Sequence, residues 1–135
     1  GNFTGVRISV AAARGLALGL GIPAIGVTRL EALAHGLPRP ITVIEDARRG
    51  EVYVQSFAAE PGAARLAQPD ALGAVTARQT GSAAVDGVPS AMPLVEAIAR
   101  IAATRTGAAQ PRPAPFYLRG ADAAPPSDPP PVILP

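Results

Sequence analysis

The sequence predicts an α/β fold. Three observations carry this expectation: a long apolar run from Thr4 to Leu20, two apolar segments at Ile41–Glu45 and Glu51–Phe57 joined by a turn-like stretch, and an amphipathic stretch from Pro89 to Thr106. The first and third have helical character and the second has strand character, so both element types must share one core.

The opening run reads as a helix over 4–20. Thr4 suits an N-cap and Gly5 admits close backbone approach. Val6, Val10, Ala13, Ala17 and Leu20 fall on one side, and Ile8, Ala12, Gly15 and Gly19 on another, with Arg7 and Arg14 as a narrow polar seam. A helix that is apolar almost all round is expected to be covered on more than one side. Gly15 and Gly19, four apart, add a small surface that lets another backbone come close. The chain opens on this helix with no lead-in strand, which gives the expectation that it is cut from something longer.

Pro23–Val27 is expected to be a short buried strand. Thr28 should cap a helix from Arg29 to His35, ended by Gly36 and Pro38. The connection Asp46-Ala47-Arg48-Arg49-Gly50 fits an antiparallel hairpin over 41–57, with Gly50 supplying a positive φ. Residues 58–68 read as loop, 69–75 as one or two helical turns, and 79–84 as a short strand. In the second helix, 89–106, Leu94, Ile98, Ile101 and Ala102 form the buried stripe, and Glu96 and Arg100 form an outward i,i+4 pair. Gly107 ends it. A linker-like stretch follows to Pro115, then an apolar island at Phe116–Arg119, then a Pro-rich segment over 120–135 that reads as an extended or disordered tail.

At 135 residues the chain suits one domain, or one lobe and the remains of another. It is 48% hydrophobic and 4% aromatic, so the core must be built from Ala, Val, Leu and Ile. Every basic side chain other than His35 is Arg, a composition common in GC-rich bacterial genomes. A net charge of +2 does not by itself argue for nucleic acid. The absence of Cys removes disulfides, thiol nucleophiles and Cys-ligated metals, and is compatible with a cytoplasmic protein. No signal peptide is visible. The uncharged run 15–28 is broken by Pro23 and several glycines and falls short of the roughly 20 apolar residues of a membrane span.

No acid–base, nucleophilic or metal constellation is legible. His35 is the one His, without a His-x-x-x-His pair, and reads as a dipole partner at a helix C-terminus. Ser9 lies within a helix and Ser56 lacks a G-x-S-x-G elbow. Gly19-Leu20-Gly21 ends a helix where a dinucleotide fingerprint would begin one. No catalytic residue and no metal ligand is assigned. The candidate partner surface is Phe3, Val6, Arg7, Val10, Arg14 and Gly15. At the hairpin tip, Arg48 and Arg49 either solvate a turn or contact a phosphate or a partner carboxylate, for which the planar guanidinium is suited.

Three motifs, in order, carry a family resemblance. Gly1-Asn2-Phe3-Thr4-Gly5-Val6-Arg7-Ile8 with Gly15-Leu16-Ala17-Leu18-Gly19 and Ile25-Gly26-Val27, then Asp46-Ala47-Arg48-Arg49-Gly50-Glu51-Val52-Tyr53, then Pro115-Phe116-Tyr117-Leu118-Arg119, resemble the TsaB (YeaZ) family over about residues 1–119. The first is shared in looser form with the paralogous TsaD proteins. The resemblance implies an actin-like, RNase H-like fold, with 1–38 the remainder of an N-terminal lobe and 39–119 a second α/β lobe. It implies a non-catalytic scaffold in the threonylcarbamoylation of tRNA adenosine 37, paired with the TsaD transferase and the TsaE ATPase. ATP would be used by those partners, tRNA would be met indirectly, and no membrane would be involved. In the family the first helix belongs to the surface used for TsaD pairing and for homodimers, so self-association of this chain is expected. The family's opening strands and early Asp-Thr element have no counterpart here, so no cofactor-binding residue is placed. A glycoprotease-like peptidase, or a homodimeric structural domain without a tRNA role, are the alternatives. Tyr117 and Arg119 read as local packing and a lobe anchor.

Overall fold

The computed structural model describes residues 3–120. Of the expected tail over 120–135, residues 121–135 lie outside the described residues, as do Gly1 and Asn2.

Helix α1 runs Phe3–Leu20. Thr4 is therefore inside the first turn and is not the cap, because the helix already includes Phe3. The C-terminus closes as expected for a glycine stop. Gly21 has φ +65°, and Ile22 N–H reaches Ala17 O at 3.0 Å, the long-range bond of a Schellman motif.

The expected strand over 23–27 is not formed; the segment has no regular secondary structure. A strand exists through its neighbours' N–H and C=O groups. The four described strands pair with one another and leave this segment outside the sheet. Helix α2, Arg29–Ala34, follows, and Thr28 Oγ1 accepts from Glu31 N–H at 3.2 Å, an N-cap as expected. His35 sits at its C-cap and donates its backbone N–H to Ala32 O.

Strands β1 (Ile41–Asp46) and β2 (Val52–Phe57) form the expected antiparallel hairpin, in register from Ile41 opposite Phe57 to Asp46 opposite Val52. The loop expectation for 58–68 is corrected by β3, Arg65–Ala67, which adds antiparallel to β2. A single 3-10 turn covers Pro69–Leu72. The strand expected over 79–84 is shorter and earlier: β4 is Arg78–Thr80, parallel to β1. Gly81 then turns the chain away at φ +110°, so close to β1 that a Cβ there would lie 2.3 Å from Ile44 O. The sheet order is β3-β2-β1-β4.

Helix α3 is Leu94–Ala103, shorter than the expected 89–106. Pro93 occupies the N-cap, and a residue preceding proline is driven out of the helical region, so Met92 cannot extend the helix backwards. The Glu96–Arg100 pair forms as expected, Nη2 to Oε1 at 2.8 Å.

β1 is central and its first five residues are all buried. Ile41 and Val43 face Leu30, Leu33 and Ala34 of α2, with Phe57 completing that cluster. Ala32 joins Ala97 and Ile101, which locks α2 to α3. On the opposite sheet face Ile44, Val52 and Val54 are covered by Leu72, Val75 and Ala83. α1 takes no part in these clusters. Among its described residues Ala17 alone is buried.

Candidate functional site

Two surfaces emerge, and the segment 115–119 ties both to the body of the protein. At one end of that segment the Tyr117 ring stacks on Phe3, centroids 4.5 Å apart. Arg7 donates from Nε to the Tyr117 hydroxyl at 3.2 Å and lies over both rings. At the other end Arg119 Nη2 donates to Ala47 O at 3.0 Å and pairs with Glu51 Oε2. The three motifs, far apart in sequence, therefore meet in space. The anchoring expected of Tyr117 and Arg119 is what their contacts provide.

The first surface is α1. Phe3, Arg7, Val10 and Arg14 recur at i, i+4, i+7 and i+11 and so share one face. Arg7, Val10 and Arg14 line a shallow groove closed by Ala11 and Pro115. Val6 is exposed beside them. Around Gly15 and Gly19 a Cβ would meet nothing within 4 Å, so that side of the helix is open. Ile8, Leu16, Leu18 and Leu20 are exposed as well, Leu18 to 85%. Sequence reasoning noted apolar groups all round the helix but did not single out these four as surface residues. For Leu16, Leu18 and Leu20 the signal was present in the unbroken apolar run 15–20.

The second surface is the hairpin tip. Arg48, Arg49 and Gly50 all have positive φ, at +63°, +55° and +74°. Asp46 Oδ1 accepts from Arg48 N–H at 2.8 Å, Glu51 N–H donates to Arg48 O, and Ala47 N–H donates to Glu51 O. Arg48 and Arg49 are thus brought together at the tip, both exposed.

One buried carboxylate lies near this tip. Glu45 accepts from Arg29 Nε at 2.8 Å and from Ser82 N–H at 2.7 Å. Burial pushes its pKa up, but the Arg29 hydrogen bond, the Ser82 N–H, the Arg29 charge and the Ser82 hydroxyl together hold it below the ordinary value. Every described partner of Glu45 is structural: Ser82 Oγ also accepts from Asp46 N–H, which pins the turn after β4 to the end of β1. Sequence reasoning missed this clasp, because Arg29, Glu45 and Ser82 have no periodic relationship. Among the described residues no three of His, Cys, Asp and Glu come together.

The architecture defines an α/β protein with a compact mixed sheet, two packed helices, and one long helix left largely exposed. The family model described as TsaD, tRNA N6-adenosine threonylcarbamoyltransferase, matches residues 1–122. The TsaB protein of tRNA threonylcarbamoyladenosine biosynthesis from Escherichia coli is 48% identical over 39% of this chain and 25% of its own length. The Bacillus subtilis protein of the same name is 42% identical over 52% of this chain and 32% of its own. An uncharacterized Mycobacterium tuberculosis protein is 35% identical over 93% of this chain and 63% of its own length. A Pseudomonas aeruginosa structure, described as similar to the peptidase YEAZ, superposes with TM-score 0.58 at 25% identity, covering 88% of this chain and 69% of that one. The chain belongs to the TsaD family of proteins, and within it to the TsaB (YeaZ) group. It spans less than two thirds of the length of each of these three sequence relatives.

Proposed function

We propose that this chain is part of a non-catalytic accessory subunit for threonylcarbamoylation of tRNA adenosine 37. In this reading α1 docks against a TsaD homologue, TsaE joins the pair, and ATP is used by the partners. The observation that carries it is α1 itself: eighteen residues, with Ala17 the one buried side chain. Burying an exposed Leu or Ile contributes about 1.5–3 kcal/mol. Ile8, Leu16, Leu18 and Leu20 together therefore reach the scale on which association outweighs its cost of several kcal/mol. In the absence of a TsaD homologue the same face favours a second copy of this chain.

A lipid bilayer is the other environment such a helix suits, since it is eighteen residues long and largely apolar. Arg7 and Arg14 weigh against it. A central Arg costs about 2.5–3.5 kcal/mol on insertion, and Arg7 is already held by Tyr117. A protein partner accommodates both, because Arg is enriched in protein interfaces.

The test is reconstitution with the full-length protein, a TsaD homologue, a TsaE homologue, ATP and unmodified tRNA. Modification is expected only when the full-length protein is added to its partners, and none from the protein alone. Modification that proceeds equally well without it, or proteolysis of casein by the purified protein, contradicts the proposal.

A further inference from the structure

The hairpin tip spends backbone energy that its turn does not require. Positive φ is costly for any residue with a Cβ, and tight hairpins meet it with Gly, Asn or Asp. Here two of the three consecutive left-handed positions carry Arg. The turn gives no reason for a long cation at either.

The tip is also held firmly. Arg119 Nη2 bonds Ala47 O at 3.0 Å and reaches Arg48 O at 3.4 Å, while Asp46 and Glu51 bracket the loop through the bonds described above. Glu51 is paired with Arg119, and Asp46 Oδ1 accepts from Arg48 N–H. The Arg48 guanidinium makes no hydrogen bond or ion pair among the described residues.

We propose that the 46–51 tip is a phosphate-contacting prong, in which Arg48 meets the sugar–phosphate backbone of the RNA substrate. This rests on the function proposed above and adds to it a direct contact with RNA. A guanidinium fork matches a phosphate oxygen pair, and a rigid support reduces the entropic cost of binding. RNA is favoured over a protein carboxylate by what surrounds the guanidinium groups. Ala47 is buried, so the tip exposes no apolar side chain. A protein interface needs a desolvated apolar centre, whereas backbone contacts to nucleic acid are polar and positively charged. α1 has the opposite character and suits a protein.

The experiment titrates the full-length protein against a fluorescein-labelled, unmodified tRNA transcript by anisotropy, at several salt concentrations between about 50 and 200 mM. Three proteins are compared: wild type, Arg48→Asn with Arg49→Asn, and a charge-matched control with Arg65→Asn and Arg78→Asn, two exposed arginines on β3 and β4. Asn tolerates the left-handed region, so the tip variant is expected to melt at the same temperature or higher. Its RNA affinity should fall, and the slope of log affinity against log salt should become shallower by about one for each phosphate that the variant no longer neutralises. The control should match wild type. An unchanged slope in the tip variant overturns the proposal, as does an equal loss in the control or a wild-type protein that does not bind the transcript. A tip variant that loses affinity for the TsaD homologue while keeping its RNA slope marks the tip as a protein-binding element and also overturns it. That last outcome leaves the accessory-subunit reading standing, whereas failure of reconstitution removes that reading irrespective of the tip.

Discussion

Arg119 and Glu51 form an ion pair at the base of the hairpin tip, Nη2 to Oε2 at 2.5 Å, with the two side chains only 18% and 25% exposed. The same nitrogen serves the carbonyls of Ala47 and Arg48. Arg119 is therefore the bolt that fixes the 115–119 segment to the β1–β2 loop. Arg119→Ala should destabilise the protein by roughly 1–3 kcal/mol, since it leaves carbonyls and a carboxylate short of a partner. Arg119→Lys should recover only part of this, because the shorter ammonium must replace a single Nη2 that reaches all three acceptors. Urea denaturation measures both, and an Ala variant as stable as wild type contradicts the clasp.

Glu45 sets an acid limit on stability. Its folded-state pKa lies below the reference value of 4.5, so its contribution is fully present above pH about 4.5. It is lost as pH falls through the lower folded-state value. Glu45→Gln should lower stability near neutrality and flatten the acid limb of the stability profile. Thermal melts from neutral pH down to about pH 3 would show this, and a variant with the wild-type slope in acid contradicts it.

Gly81 is required by geometry. A Cβ at this position would press on Ile44 O in the middle of β1, and the backbone is at φ +110°. Gly81→Ala should cost about 3 kcal/mol or more, and should loosen the Ser82 hydrogen bonds to Glu45 and Asp46 with it. A melting temperature within a few degrees of wild type would show that the β4 turn yields more readily than its packing implies.

Catalytic loss should track folding. Single substitutions of His35, Glu45, Asp46 or Glu51 in the full-length protein are expected to slow tRNA modification only in proportion to lost stability or assembly. A true acid–base group contributes roughly 10²–10⁴-fold. A loss of that size in a folded, assembled variant would identify a catalytic residue in this chain.

The hairpin and α2 were legible because their signals are local. Val52 and Val54 alternate toward one face, Gly50 takes the positive φ, and Thr28 caps Glu31. The strands that failed or went unseen depend on neighbours. Arg65–Ala67 is three residues long and becomes β3 only because β2 offers a free edge. Pro23–Val27 has strand composition but no place in the sheet. Of the candidate site, the face of α1 was legible as an excess of apolar residues. Its attachment through Tyr117 was not, because the bond between Arg7 and Tyr117 leaves no periodic trace. The tip arginines were visible as residues, but the left-handed backbone that sets Arg48 and Arg49 apart could be read only from the structure.

The central claim is that α1 is a partner surface, and Gly15 tests it most directly. A Cβ at Gly15 meets nothing within 4 Å, so Gly15→Leu should leave the fold intact, and it improves helix propensity by up to about 1 kcal/mol. At a closely packed interface the same side chain costs about 1–3 kcal/mol, and each 1.4 kcal/mol is about tenfold in affinity. The measurement is calorimetric titration of the full-length protein with a TsaD homologue, paired with a thermal melt of each protein. The account predicts an affinity loss of about tenfold or more at an equal or higher melting temperature. An unchanged affinity with a lowered melting temperature would contradict it, and would place this face inside the protein's own core.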